Sequence, residues 1–171
     1  MVLCATRFLQ YVLQTRQNYF DDIPRRPCAA SGALCKFISD AIPGCDGTIG
    51  NDAVRRFPGA MPVNFGRTSF RRIQEMGYFA SEKTDGVRHF LLVLEGAAYL
   101  VTRKYEVLRV DFPQVVDFFG TAGATLFDGE IVRNLQVFRP VFMAFDVMVV
   151  HGRNVAALPY GRRLEILSRE I

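Results

Sequence analysis

With 171 residues, half of them hydrophobic and 22% charged, the chain has enough apolar material for one sizeable core and does not read as disordered. Its 21 Lys and Arg against 17 Asp and Glu leave a net charge of +4, compatible with a phosphate-bearing partner without demanding one. No apolar run reaches the ~18–20 residues that a membrane-crossing helix needs, so no membrane partner is expected.

Residues 1 to 20 carry Arg7 and Arg16 and no acid, and Phe8, Tyr11, Val12 and Leu13 can share a helix face. That pattern is weakly like a transit peptide, but a helix docking at the edge of a domain is the preferred reading. Arg7 interrupts the first apolar stretch and no small-residue cleavage site follows, so no secretory signal is read there. The segment to residue 56 then turns irregular, with Ile23-Pro24-Arg25-Arg26-Pro27, a short apolar stretch from Leu34 to Ile42, and Pro43-Gly44-Cys45-Asp46-Gly47. It is expected to be an N-terminal extension of unknown role. Cys4, Cys28, Cys35 and Cys45 form no Cys-x-x-Cys, and His89 and His151 lie far from them, so free thiols are expected and no metal ligand is assigned.

From Phe57 the texture tightens. Thr68 or Ser69 can cap a short helix through Met76, ended by Gly77. His89 to Glu95 and Ala98 to Arg103 read as a hairpin around Glu95-Gly96, and Glu106 to Val110 continues the meander. Thr125 to Arg133 and Val137 to Val150 are two more strands, the second apolar enough to be buried on both faces. Pro159 leads into a helix from Tyr160 to Ile171. Strand meanders with flanking helices predict an α+β fold of antiparallel sheets.

The chemistry concentrates in three places. Ser81-Glu82-Lys83-Thr84-Asp85-Gly86-Val87-Arg88 sets an amine beside a tight bend, where Gly86 permits close approach and Arg88 offers a planar cation for phosphate or ribose oxygens. Alone, this describes an exposed β-turn with solvated charges. It gains weight from Leu126-Phe127-Asp128-Gly129-Glu130-Ile131-Val132, read as a second Asp-Gly turn with Glu130 at the head of an apolar strand. It gains more from Phe142-Met143-Ala144-Phe145-Asp146-Val147, where Asp146 sits inside an apolar run and requires a cation or a metal.

In this order the three stretches resemble the nucleotidyltransferase domain of messenger-RNA capping enzymes, the GTP–RNA guanylyltransferases, in the superfamily that includes ATP-dependent DNA and RNA ligases. Lys83 to Arg88 is similar to the family's first motif, Phe127-Asp128-Gly129-Glu130 to its third, and Phe145-Asp146-Val147-Met148-Val149 to the one that follows. Upstream, Phe57-Pro58-Gly59-Ala60-Met61-Pro62-Val63-Asn64-Phe65-Gly66-Arg67 resembles the Phe-Pro-Gly-x-x-Pro-Val segment that sets cellular capping enzymes apart from ligases. The likeness covers residues 57 to 171. The family's later motifs, an acidic one and one with two lysines around an aromatic, and its oligonucleotide-binding-fold domain have no counterpart in these residues. The resemblance therefore implies a partial nucleotidyltransferase domain, expected to bind GTP poorly by itself.

The resemblance further implies mRNA 5′ capping: transfer of GMP from GTP to a 5′-diphosphate RNA end through a covalent lysyl-GMP on Lys83, with Mg²⁺ or Mn²⁺. Asp85 and Gly86 would form the structural turn of the motif. Arg88 and Arg103 would orient ribose and phosphates, with Arg88 also lowering the Lys83 pKa. Glu130 would hold ribose hydroxyls or the metal shell, Phe145 would stack on guanine, and Asp146 would fix a neighbouring cation. Implied partners are an RNA polymerase II tail or an RNA triphosphatase, and the implied location is the nucleus. Two rivals are an ATP-dependent nucleic-acid ligase fragment and a non-catalytic interaction remnant of a capping enzyme.

Overall fold

The computed structural model describes residues 25–29, 31–42, 64–81, 83–119, 123–134 and 139–169. The helix read in residues 1 to 20 and the Phe57 to Val63 part of the upstream segment lie outside them. One antiparallel sheet of seven strands organises the rest. In chain order the strands are β1 (Arg25–Pro27), β2 (Val87–Leu94), β3 (Ala97–Thr102), β4 (Val107–Val110), β5 (Thr125–Asn134), β6 (Arg139–Val150) and β7 (Arg153–Asn154). They lie side by side as β1-β4-β3-β2-β5-β6-β7. The helices are α1 (Ser31–Ala41), α2 (Arg67–Glu75), α3 (Pro113–Phe119) and α4 (Tyr160–Arg169).

The expected hairpin closes at Glu95 and Gly96, both at positive φ (50° and 70°), the left-handed pair that matches strand twist. His151 and Gly152 (47° and 78°) turn β6 into β7 in the same way. The central run Phe90-Leu91-Leu92-Val93 is buried on both faces, and this explains its lack of polar alternation. On one face Leu91 and Val93 pack with Val115 and Phe119 of α3 and Leu167 of α4. On the other, Phe90 and Leu92 pack with Leu34, Cys35, Ile38 and Ala41 of α1. β6 serves both faces, sending Phe142 and Val147 to the first cluster and Met148 and Val149 to the second.

Residues 25–42, which the sequence reading puts in an N-terminal extension, thus take part in the sheet and its second core. β1 pairs with β4, Arg26 opposite Arg109, and its Pro27 is tolerated because the strand is an edge. Helix α2 starts earlier than expected. Gly66 is its N-cap, and Ser69 at the third position accepts the Gly66 N–H through its hydroxyl (3.4 Å), which is the return half of a capping box. The chain then leaves in an extended conformation at Met76. Helix α3 has no counterpart among the expected elements. Its Val115, Val116 and two phenylalanines are poor helix formers, and Pro113 at the first helical position was the one local signal.

Candidate active site

The Lys83 motif feeds straight into β2, and β2 pairs with β5 so that Arg88 lies opposite Glu130 and Phe90 opposite Asp128. In an antiparallel pair, opposite residues share a face and so do residues two apart. Arg88, Asp128 and Glu130 therefore project from one face at one end of the sheet. β6 brings Asp146 opposite Asp128. The register then slips between Asp128 and Gly129, leaving Phe145 as the extra residue on β6. A bulge of this kind re-aims a side chain beside a site, and the Phe145 ring lies 5.4 Å from the Arg88 guanidinium carbon, in a cation–π contact.

Two carboxylates on neighbouring strands would repel, and each is answered by an arginine. Arg88 grips Asp128 with a fork: Nε donates to Oδ1 at 2.8 Å and Nη2 to Oδ2. Arg163 of α4 grips Asp146 in the same way, with both donor distances 2.8 Å. Burial raises the Asp128 carboxyl above its usual range; Arg88 pulls it back, Asp146 pushes it up again, and the Arg103 charge lowers it. The Arg163 guanidinium, held by Asp146, has its pKa raised further. Arg103 is exposed in the turn after β3, near enough for its charge to act on Asp128.

Above this floor, the Thr84 hydroxyl donates to Glu130 Oε2. Lys83 is exposed, its Nζ 2.7 Å from Asp85 Oδ1. The Asp85 carboxylate holds the lysine above its ordinary pKa, and the lysine holds Asp85 below its own. The depression expected from Arg88 is therefore not present in this arrangement: Arg88 faces Asp128, and the anion beside Lys83 acts in the opposite direction. Gly86 is required by close packing. A Cβ there would stand 2.6 Å from Val132 Cγ1 and 2.7 Å from the Ile131 carbonyl oxygen. Because the second obstacle is backbone, Gly86→Ala is expected to cost about 1–3 kcal/mol, read as a lowered Tm.

The structure brings together Lys83, Asp85, Gly86, Arg88, Glu130, Phe145 and Asp146, with Arg103 at the margin. It adds residues the sequence reading did not single out. Asp128 takes Arg88. Arg163 answers the demand Asp146 made for a cation. Tyr160 donates its hydroxyl to the Phe145 carbonyl oxygen at 3.0 Å. A signal for Arg163 existed, since a carboxylate inside an apolar strand requires a cation, but the partner lies 17 residues downstream on another element.

Among the described residues, no three His, Cys, Asp or Glu side chains gather as a metal cage. Asp128 and Asp146 are each taken by an arginine and Asp85 by Lys83, so of the carboxylates here Glu130 is the one that would meet a metal. A divalent ion held by one carboxylate and by substrate phosphates is the usual Mg²⁺ arrangement, and the residues fit that.

The Lys83 motif leads into β2, whose Arg88 lies opposite Glu130 of β5 in an α+β antiparallel sheet, and the family match over these residues makes this a domain of the nucleotidyltransferase kind. The chain belongs to the family described as mRNA capping enzyme, catalytic domain, which matches residues 32–171. It is 29% identical over 125 residues to the mRNA-capping enzyme of Caenorhabditis elegans, covering 67% of this chain and 20% of that protein. The mRNA-capping enzyme of Danio rerio is 31% identical over 121 residues, with the same coverages. The mRNA-capping enzyme subunit alpha of Candida glabrata is 30% identical over 159 residues, covering 80% of this chain and 33% of that one. The chain thus spans between a fifth and a third of these relatives. A solved structure, mycobacterial DNA ligase D complexed with ATP and MES, aligns over 50% of this chain and 34% of its own at 20% identity, with a TM-score of 0.37.

Proposed function

We propose that the site serves guanylyl transfer from GTP to a 5′-diphosphate RNA end, with Lys83 as the nucleophile. The observation that carries this reading is the position of Lys83 at the entry to β2, with Arg88 registered opposite Glu130, in a chain of the capping-enzyme family. In the first step the neutral Lys83 amine attacks the α-phosphorus. A P–N bond forms, the bond to the β-phosphate oxygen breaks, pyrophosphate leaves and the amine proton passes to solvent. In the second step a terminal oxygen of the RNA diphosphate attacks the same phosphorus, the P–N bond breaks, and Lys83 takes up a proton.

Each neighbour has a part in this reading. Glu130, steadied by Thr84, accepts from ribose hydroxyls or meets the metal. Mg²⁺ or Mn²⁺, which Glu130 would help to hold, would supply charge neutralisation for the transfer. Phe145 offers a ring for the purine, and Arg103 is an exposed cation for phosphate. The Arg88–Asp128 and Asp146–Arg163 pairs position rather than react, fixing the middle stretches of β5 and β6 that carry Glu130 and Phe145. A nuclear location and an RNA polymerase II tail or RNA triphosphatase as partner accompany the reading.

The test is covalent labelling with GTP radioactive at the α-phosphate, with ATP in parallel, of a longer protein in which these residues are joined to the family's later motifs, since the chain by itself is expected to bind GTP poorly and to label hardly at all. The expected result is a GTP-dependent, acid-labile and alkali-stable adduct mapping to Lys83. Labelling from ATP alone would replace this reading with ligase-type adenylyl transfer, and an adduct on another residue would remove Lys83 from its role.

A further inference from the structure

Tyr160 opens α4 and is half-buried, with its ring held from two sides. Phe79 stands edge-on to it with centroids 5.4 Å apart, and the Arg163 guanidinium carbon lies 5.5 Å from its centroid. Arg163 is itself pinned, to both oxygens of Asp146 and through Nη1 to the Leu158 carbonyl oxygen. Held in this way, the Tyr160 ring aims its hydroxyl at the Phe145 carbonyl oxygen, 3.0 Å away. Burial and the nearby Asp146 charge keep the phenol above its ordinary pKa, so it stays a donor through neutrality and beyond.

That carbonyl belongs to an extra residue of β6. Asp128 pairs with Asp146 and Gly129 with Ala144, and Phe145 falls between them without a partner on β5. A strand partner sets the direction of an ordinary side chain in a sheet; at a bulge something else must do so. Packing between Phe79 and Arg163 asks only for a ring, and the oxygen of Tyr160 serves the carbonyl.

We infer that Tyr160 is a positioning residue for the nucleotide base: by holding the Phe145 carbonyl it fixes the bulge, and the bulge sets the Phe145 ring beside Arg88 as the platform for the purine. The inference rests on the reading of Phe145 as the ring that meets the base. Tyr160 itself touches no nucleotide in this account.

The experiment compares Tyr160→Phe, Phe145→Ala and the double variant with the parent, in the longer protein that carries the family's later motifs. Tyr160→Phe keeps the ring and removes only the hydroxyl, and circular dichroism checks that each variant folds. Two probes are titrated at equilibrium. One is a GTP analogue with a methylene between its α- and β-phosphorus, which cannot lose pyrophosphate; the other is tripolyphosphate, which has no base. Phe145→Ala should weaken the analogue about tenfold, the effect of a lost stacking contact. Tyr160→Phe should weaken it about threefold, the effect of one neutral hydrogen bond. Tripolyphosphate should bind all four proteins alike. With Phe145→Ala already present, Tyr160→Phe should add nothing, because no ring is left to aim. A second readout needs no nucleotide: the Arg88 Nε–H proton resonance senses the ring beside it, and Tyr160→Phe should move it toward its position in Phe145→Ala.

An equal loss for the analogue and for tripolyphosphate would make Tyr160 a general support of the fold and overturn the inference. Additive losses in the double variant would do the same, as would an Arg88 resonance that Tyr160→Phe leaves in place. A resonance that moves while neither substitution alters analogue affinity would overturn the base-stacking reading of Phe145 alone, with Tyr160 still shown to hold the ring.

Discussion

Replacing Lys83 by alanine or by arginine is expected to abolish adduct formation, a loss of roughly 10⁴–10⁶-fold if a residual rate is measurable at all. Alanine removes the amine. Arginine keeps the charge and much of the length but presents a guanidinium that stays protonated at any working pH, and so has no lone pair to give. A lysine at its ordinary pKa of ~10.4 is neutral in fewer than about one molecule in 10³ at pH 7. Here Asp85 holds it higher still. Adduct formation should therefore climb with pH, about tenfold per unit, across neutrality and beyond it. Asp85→Asn withdraws the anion that holds the proton on Lys83, so the whole profile should move to lower pH. Single-turnover labelling at saturating GTP across a pH series measures this. A profile unmoved by Asp85→Asn would mean that Lys83 leaves Asp85 altogether when nucleotide binds. A Lys83→Arg variant that still labels would take the nucleophile away from residue 83.

The parts of this site legible in the sequence are those whose signal is local. Lys83, Asp85, Gly86 and Arg88 stand within six residues, and the Phe127 to Glu130 stretch announces itself by an acid and a glycine in an apolar strand, although the turn expected at Asp128-Gly129 is not there: both residues lie inside β5. The hairpin at Glu95-Gly96 and the double-sided burial of β6 follow from turn chemistry and from apolar runs of strand length. What escaped is tertiary. The sequence offers Arg88 to a phosphate, whereas strand pairing delivers it to Asp128. The cation that Asp146 needed is Arg163, and no spacing rule connects a strand residue with one on a helix 17 positions later. The joining of β1 and α1 to the sheet was hidden similarly. A three-residue strand ending in proline has no periodicity to read, and the apolar stretch from Leu34 to Ile42 shows its face only once β4 and β6 are in place. Phe145 needed both kinds of information, since its ring is aimed by a one-residue slip between β5 and β6.

That dependence on tertiary pairing makes Arg88 a side chain whose loss the fold should feel strongly. Arg88 and Asp128 are both nearly inaccessible, at 9% and 2% for their side chains. Deleting one partner of such a pair leaves a buried charge without compensation, at about 3–5 kcal/mol. Arg88→Ala should therefore lower stability by that amount at neutral pH, with Arg88→Lys intermediate because an ammonium cannot reproduce the two-pronged grip. The pH dependence separates this cause from simple loss of packing. Burial already holds Asp128 above its unfolded pKa, and Arg88 is the chief influence opposing that rise. Without Arg88 the folded pKa climbs further, so the folded state binds the Asp128 proton more tightly than the unfolded chain does. A raised carboxyl makes the fold lose stability as pH rises through the folded pKa and regain it as pH falls. The Arg88→Ala deficit should thus be full at neutral and alkaline pH and shrink toward the ordinary carboxylate range. Asp128→Asn placed on top of Arg88→Ala removes the stranded charge and should restore part of the loss at neutral pH, giving a clear interaction energy in the double-mutant cycle. Urea unfolding at several pH values, on the four proteins of the cycle, measures both effects. A deficit that is independent of pH and additive with Asp128→Asn would show that Arg88 matters for its packing under Phe145 and not for the charge it meets.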